Sequence, residues 1–314
     1  MKKTLLVSGC DANYFPMLAE WMHSIRRFPE FDSYDIGIID SGLTDKQSDY
    51  LKSKKAQLVE PDWPCPLPES KIKGRNFLKS CLCRPYIPDY FPGYETYFWM
   101  DADTWLQRPY VIDLFIGAAK DGNMALTAQV DRCYPRAVRV KWLGQWPWKV
   151  RNFYYSNALK AGYGHPLARH LLAQYVLSAG AFALEANAPH WRAWQTTLEE
   201  TVKKGNLFTA EQLSLGIICY RDHYPVDILP SWTHWLCEFK PLWDERQGCF
   251  REPHTPHEKI GILHLSGWDE MRLNRDIKTT FQTIDKNEKE MSYRYPYYNG
   301  STEEELMDAS RIAI

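Results

Sequence analysis

Apolar positions along the chain fall into short unbroken runs that alternate with longer stretches at helical spacing. The run over residues 4–8 predicts a buried first strand, and Cys10, Asp11, Ala12, Asn13 and Tyr14 leave it as a loop. Leu18, Trp21, Met22 and Ile25 then recur at helical spacing as far as Phe28 and Pro29. Residues 36–39 predict a second strand, Thr44 caps a helix running to Leu51, and residues 57–59 form a third strand. This alternation argues for a mostly parallel, doubly wound α/β sheet flanked by helices. Pro61, Pro64, Pro66 and Pro68 keep residues 62–68 irregular, and residues 77–86 predict a helix carrying Arg84. Tyr97, Phe98, Trp99 and Met100 predict a central strand, and residues 124–129 another. Residues 175–185 predict a strand pair, or one strand broken at Ser178, Ala179 and Gly180 where backbone can approach a ligand. Residues 189–203 predict a helix with Trp191, Trp194 and Leu198 on one face. Another helix opens with Thr209 as N-cap and Gln212 at capping-box spacing, and residues 260–265 predict a last buried strand containing His264.

Composition narrows the class without changing this picture. A chain of 314 residues, 45% hydrophobic and 25% charged, can bury a large core. Its 38 Lys and Arg against 39 acids leave a net charge of -1, so no global basic field points to nucleic acid. The apolar run Leu5, Leu6, Val7 is too short for an export signal, and no run of membrane-spanning length occurs, which predicts a cytoplasmic chain. Eight cysteines without C-x-x-C spacing fit neither a disulfide framework nor a zinc site and read as reduced, mostly buried thiols. After residue 285 the chain turns polar: four tyrosines lie in residues 293–298, and Thr302 with Glu305 matches a helix cap. The expected organisation is one domain over residues 1–284 and a peripheral appendage over 285–314. The acceptor-like triplet at Asn299 reads as a chance glycosylation match.

Residues 137–160 form an aromatic and basic insertion in that domain, interleaving Lys141, Trp142, Trp146, Trp148, Lys149, Arg151, Phe153, Tyr154 and Tyr155. The preferred reading is core packing of an extra helix or loop, because aromatics are mainly hydrophobic payload. An acceptor platform that stacks on sugar rings is the second reading. A peripheral membrane contact through residues 141–155, at the inner face of a membrane bearing a lipid-linked acceptor, is the third.

The central apolar run stops abruptly at Asp101 and Asp103, with only Ala102 between them. In an open α/β sheet the carboxyl ends of the strands face a ligand crevice. A hard divalent cation held there by one or two carboxylates keeps coordination sites for phosphate oxygens, which outlines a diphosphate site. The competing reading is a simple turn, because Asp side chains bond nearby backbone amides. His264, at the end of the last strand, is a candidate third ligand.

These residues, in this order, resemble family 8 of the retaining glycosyltransferases, the group that includes glycogenin-like and lipopolysaccharide galactosyltransferase-like enzymes. The resemblance runs over residues 4–271. It implies a GT-A fold, a nucleotide diphosphate sugar donor, uridine-linked in the first instance, and manganese, or magnesium in its place. The loop Cys10, Asp11, Ala12, Asn13, Tyr14 matches the family's nucleoside-holding loop, and Arg84 looks like its donor-contacting arginine. Met100, Asp101, Ala102, Asp103 correspond to its metal-binding motif, and His264 followed by Gly267 corresponds to the late motif whose histidine completes the metal site. Ser178, Ala179, Gly180 resemble its Asn-x-Gly turn, with Ser in place of Asn; Glu211 and Gln212 resemble its Asp-Gln pair beside the anomeric carbon. Where the family places a diphosphate-binding Lys this chain has Glu270, and Arg272 is the candidate replacement for that charge.

The implied reaction moves a hexose to a glycan or lipid-linked saccharide, as in polysaccharide biosynthesis. Gln212 lacks the acidity of a strong nucleophile, which favours same-face attack with the departing phosphate taking the acceptor's proton; Glu211 is the nearby carboxylate that permits a covalent intermediate instead. Two other classes remain: a nucleotide-sugar or glycan-binding protein that has lost turnover, and a sugar nucleotidyltransferase, which the absence of a Gly-rich basic loop after the first strand disfavours.

Overall fold

A computed structural model describes residues 2–134 and 138–295. In chain order its strands are Lys2–Cys10 (β1), Asp35–Asp40 (β2), Ala56–Val59 (β3), Tyr94–Met100 (β4), Thr104–Leu106 (β5), Met124–Ala128 (β6), Arg139–Leu143 (β7) and Trp146–Arg151 (β8). They continue as Leu177–Glu185 (β9), Val226–Leu229 (β10), His234–Leu236 (β11), Leu242–Asp244 (β12), Cys249–Arg251 (β13), Ile262–His264 (β14), Thr279–Gln282 (β15) and Glu288–Met291 (β16). A seven-stranded sheet has the order β10-β6-β9-β4-β1-β2-β3. It is parallel throughout except for β9, which runs antiparallel to both β4 and β6. The mostly parallel α/β sheet read from the sequence is therefore present.

The strands read as unbroken apolar runs because the sheet is covered on both faces. Side chains alternate across a strand, so Leu6, Phe98 and Met100 enter one core with Leu18, Trp21 and Ile25 of the helix Phe15–Arg26. Leu5, Val7, Tyr97 and Trp99 enter the opposite core with Trp191 and Trp194 of the helix His190–Lys204. From β1 the chain proceeds outward to β2 on one side, while β4 lies on the other, so the strand order reverses between β1 and β4. Both strands run the same way, and Cys10 and Met100 end them at the same edge. Ligands bind at such a switch point.

Several local expectations are corrected. The helix expected over residues 77–86 is broken into Leu78–Leu82 and a 3-10 turn, Arg84–Tyr86, because Pro85 offers no N–H to continue the ladder. Residues 175–185 form the single strand β9; its small-residue stretch lies opposite a register shift between Leu126 and Thr127 of β6. The last buried strand, β14, belongs to a separate three-stranded sheet of order β11-β14-β5. The helix Leu207–Tyr220 is capped by Asn206, whose side chain accepts from the Phe208 N–H, and not by Thr209, whose hydroxyl bonds Asn157. The reciprocal capping box occurs instead at Thr44 and Gln47.

Residues 139–151 overturn the core-packing reading. They form an antiparallel hairpin, β7–β8, whose Trp142, Leu143, Trp146 and Trp148 are exposed, because the hairpin joins none of the other sheets. Only the helix that follows, Phe153–Lys160, turns inward, with Tyr154 fully buried. The break expected at residue 285 falls inside the hairpin β15–β16. Beyond it, Met291, Tyr293 and Tyr295 are buried in the same core as Trp105 and Phe250, so residues 285–295 belong to the body of the protein. The turn motifs expected at Asn299 and Thr302 lie outside the described residues. Five of the eight cysteines are buried and three half-buried. Among the described residues no helix is long and apolar enough to cross a membrane.

Candidate active site

At the switch point lies a cleft of about 650 Å3. Its floor is built by the end of β4. The Asp101 N–H still donates across to Gly180 of β9 at 2.8 Å, but the chain then turns, with Thr104 donating back to the Asp101 carbonyl, and enters β5. Pairing of β5 with β14 sets Thr104 opposite His264, and the Leu265 N–H clamps the Asp103 carbonyl at 2.9 Å. The two acids and the histidine are thus brought together by two different sheets.

Their ligating atoms lie within 4.8 Å of one another. His264 Nε2 is 3.3 Å from Asp103 Oδ1 and 3.9 Å from Asp101 Oδ2. Each carboxylate commits its other oxygen elsewhere. Asp101 Oδ1 accepts from Arg84 at 2.5 Å and from Trp99 Nε1 at 2.8 Å, while Asp103 Oδ2 accepts from Arg272 at 2.8 Å. One oxygen of each acid and one imidazole nitrogen therefore converge, an O,O,N set that fits a divalent cation with open positions. Burial pulls the His264 pKa down, but Asp103 and Asp101 more than offset it and hold the imidazole above its ordinary value. Burial pushes Asp103 up, and His264 with Arg272 more than reverses this, leaving it well below the usual carboxylate range. Gly180 is required here: a Cβ would lie 2.7 Å from His264 Cε1 and 3.1 Å from Asp101 Oδ2.

Arg84 is buried, and among the described residues its guanidinium makes four hydrogen bonds and lies over the Trp99 ring. Besides Asp101 it reaches the Ala179 carbonyl at 3.0 Å, the Ser80 carbonyl at 3.3 Å and Glu211 Oε2 at 3.5 Å. Glu211 is fully enclosed, and its Oε1 has no hydrogen-bond partner among the described residues. Burial and nearby Asp101 push its carboxyl up to about 7, against the pull of Arg84. Gln212 is not a capping residue; its Nε2 donates to the Leu177 carbonyl at 2.6 Å, which fixes the amide at the cleft wall.

Of the residues singled out in the sequence, Asp11, Asn13, Tyr14, Arg84, Asp101, Ala102, Asp103, Ser178, Gly180, Glu211, Gln212, His264 and Arg272 all line the cleft. Asp11 spends part of its carboxylate on the N–H groups of Asn13 and Tyr14, which shapes the loop after β1. Arg272 also bonds Asp269 and the Leu265 carbonyl, whereas Glu270 is exposed and not among the cleft residues. Gly267 is not among them either; it has φ +77° and packs against Glu238, a turn role. Phe77, Phe153, Phe208 and Leu273 line the cleft without a motif to announce them. His234 was also missed. It stacks on His264, its Nε2 lies 3.1 Å from His264 Nδ1, and its own Nδ1 lies 3.1 Å from Thr127 Oγ1. Only the pairing of β11 with β14 brings it there.

This fold is that of the GT-A glycosyltransferases. Among solved structures the chain is similar to the galactosyltransferase LgtC in complex with donor and acceptor sugar analogs, with 11% identity and a TM-score of 0.54 over 86% of this chain and 94% of that one. It is also similar to the WbbM bifunctional glycosyltransferase, with 13% identity and a TM-score of 0.52 over 85% of this chain and 46% of that one. At these identities the likeness is one of fold. No protein-family model matches the chain, and no curated protein matches it.

Proposed function

We propose that this protein is a glycosyltransferase that moves a hexose from a nucleotide diphosphate sugar to a saccharide or lipid-linked acceptor, with retention at the anomeric carbon. The observation that carries the reading is the convergence of Asp101 Oδ2, Asp103 Oδ1 and His264 Nε2 at the floor of the cleft, flanked by Arg84 and Arg272. Manganese, or magnesium in its place, would be held by these three residues and would supply Lewis-acid neutralisation of a diphosphate leaving group. Arg84 and Arg272 place fixed positive charge beside the same position, already desolvated and oriented by their carboxylate partners. The loop Asp11, Asn13, Tyr14 at the end of β1 lies where the nucleoside would sit.

Ser178 and Gly180 on one wall and Glu211 and Gln212 on another would frame the transferred sugar. Gln212, held by the Leu177 carbonyl, orients the sugar and is no nucleophile. In same-face attack the acceptor oxygen forms its bond to the anomeric carbon as the bond to the phosphate oxygen breaks, and that phosphate oxygen takes the acceptor proton. The Glu211 carboxyl, tied to Arg84 and enclosed, supports a stabilising position behind the sugar better than a free nucleophile.

The test is calorimetric binding of a panel of nucleotide diphosphate sugars with and without manganese. One donor is expected to bind in a metal-dependent way, and Asp103→Ala, which removes a direct ligand, should weaken it by more than the about 10- to 100-fold that losing an outer-shell partner of a metal site costs. If no donor binds under either condition, the reading fails. Product anomer analysis by NMR then checks retention, and absence of turnover with a bound donor would mark a binding protein instead.

A further inference from the structure

We propose that the hairpin β7–β8 is a membrane-docking element that sets its tryptophan tip into the interface of an anionic bilayer while cations nearer its base meet the lipid headgroup phosphates. The pairing sorts the hairpin along its length. Toward the base, Arg139 faces Arg151 and Lys141 faces Lys149; toward the turn, Trp142 faces Pro147 and Leu143 faces Trp146, with Trp148 beside them at the bulge. Relative exposure is 63% for Trp142, 64% for Leu143, 79% for Trp146 and 72% for Trp148, so the tip is an apolar knob that the described residues leave uncovered. At about 3.3 Å per residue, the tip lies roughly 7–10 Å beyond the Lys141 and Lys149 pair. An interfacial element buries its apolar part about 5–10 Å deep, so that spacing puts the tip at acyl-boundary depth when the lysines sit among the headgroups.

Charge selects the kind of surface. From Arg132 to Leu184 the sequence has eight Lys and Arg and no Asp or Glu, although the whole chain carries a net charge of -1. Arg139, Lys141, Lys149 and Arg151 are all exposed, and none forms an ion pair among the described residues. Such a collar complements anionic lipid. A saccharide platform is the poorer fit, because the tip has no carboxylate to bind ring hydroxyls and projects outward on a two-stranded arm. The hairpin also adjoins the cleft: Arg139 and Arg151 line a second cavity of about 610 Å3 that shares Gln129 and Phe153 with it. Docking would hold the cleft over the bilayer surface, which narrows the acceptor to a lipid-linked saccharide; that last step alone rests on the transferase reading.

The experiment is co-sedimentation of the full chain with vesicles of phosphatidylcholine, with and without phosphatidylglycerol, in the absence of any donor. Binding to the anionic vesicles is expected, at least about tenfold weaker to phosphatidylcholine alone and weakened by salt. The double variant Lys141→Glu with Lys149→Glu should lose it. Combining Trp142→Ser, Trp146→Ser and Trp148→Ser should weaken it about tenfold or more and remove quenching of tryptophan fluorescence by brominated lipid. Thermal melts unchanged from the native protein show that the variants fold. Failure of the native protein to bind anionic vesicles overturns the proposal, as does undiminished binding by the folded variants or retention only by a soluble polysaccharide or a protein. Because no donor is present, this failure is distinct from failure of the transferase reading, which donor calorimetry decides.

Discussion

At the scale of single residues, Glu211 shows how the same side chain changes character with its surroundings. Its usual carboxyl pKa of 4.5 rises to about 7 on burial, so the folded state keeps a proton that the unfolded chain has released. Between about pH 4.5 and pH 7 the native state binds more protons, and stability falls as pH rises through that window. Glu211→Gln removes the titration. Urea unfolding across this range should show native-protein stability declining relative to the variant, by about 3 kcal/mol at neutral pH. A constant difference would show that the carboxyl is not held neutral by burial. The identity of this acid was legible beside Gln212, but its enclosure by Arg84 and Asp101 was not, since those partners lie far away in the chain. Arg272 illustrates the opposite case. The sequence offered it as a substitute positive charge, and the structure places it 2.8 Å from Asp103.

At the scale of elements, the small sheet β11-β14-β5 supplies the framework for a histidine that the motifs named but did not place. It carries Thr104 and His264 as facing residues and adds His234 from the next strand. With His264 Nδ1–H donating to His234 Nε2, and His234 Nδ1–H to Thr127, the His264 Nε2 lone pair is left for a cation. His234→Phe keeps the stacked ring and breaks this chain; manganese affinity should fall about 10- to 100-fold, while His234→Gln, which still accepts the hydrogen bond, should retain most of it. Equal affinities for the two variants would reduce His234 to packing. The insertion shows the limit of pattern reading. Tryptophans interleaved with cations look alike whether an element packs inward or projects, because a two-stranded hairpin is amphipathic either way. The cap at Asn206 was missed for a related reason: Ser, Thr, Asn and Asp all suit an N-cap, and the choice between Asn206 and Thr209 depends on where the preceding chain enters.

At the scale of the whole molecule, the C-terminal part of the described chain is tied to its beginning. Arg294 donates to both oxygens of Glu20 at 2.7 Å, and also to the carbonyls of Met271 and Arg272. Tyr293 is buried against Phe250 and Phe281, and its carbonyl accepts from Trp105 of β5. Among the described residues, Arg294→Ala would leave the buried Glu20 with only the 3.5 Å contact to Arg275. A loss of about 3 kcal/mol in chemical denaturation is expected, together with weaker donor binding because the backbone at Arg272 is released. Unchanged stability would mean that this closure is ornamental. Polar composition after residue 285 concealed it, since a strand pair needs few apolar residues when its partners supply the core.

By itself the sequence determined the alternation of strands and helices, the end of the central strand at Asp101, and the order of the cleft residues. Those features rest on short-range periodicity and on residue chemistry that any local context reveals. Only the tertiary structure decided that a second sheet carries His264 to the two acids it was expected to join, that His234 supports it, that Glu211 is sealed against Arg84, and that the aromatic insertion projects instead of packing. Each of these depends on the pairing or separation of segments remote in the chain, and strand order and burial are collective properties that no single stretch encodes.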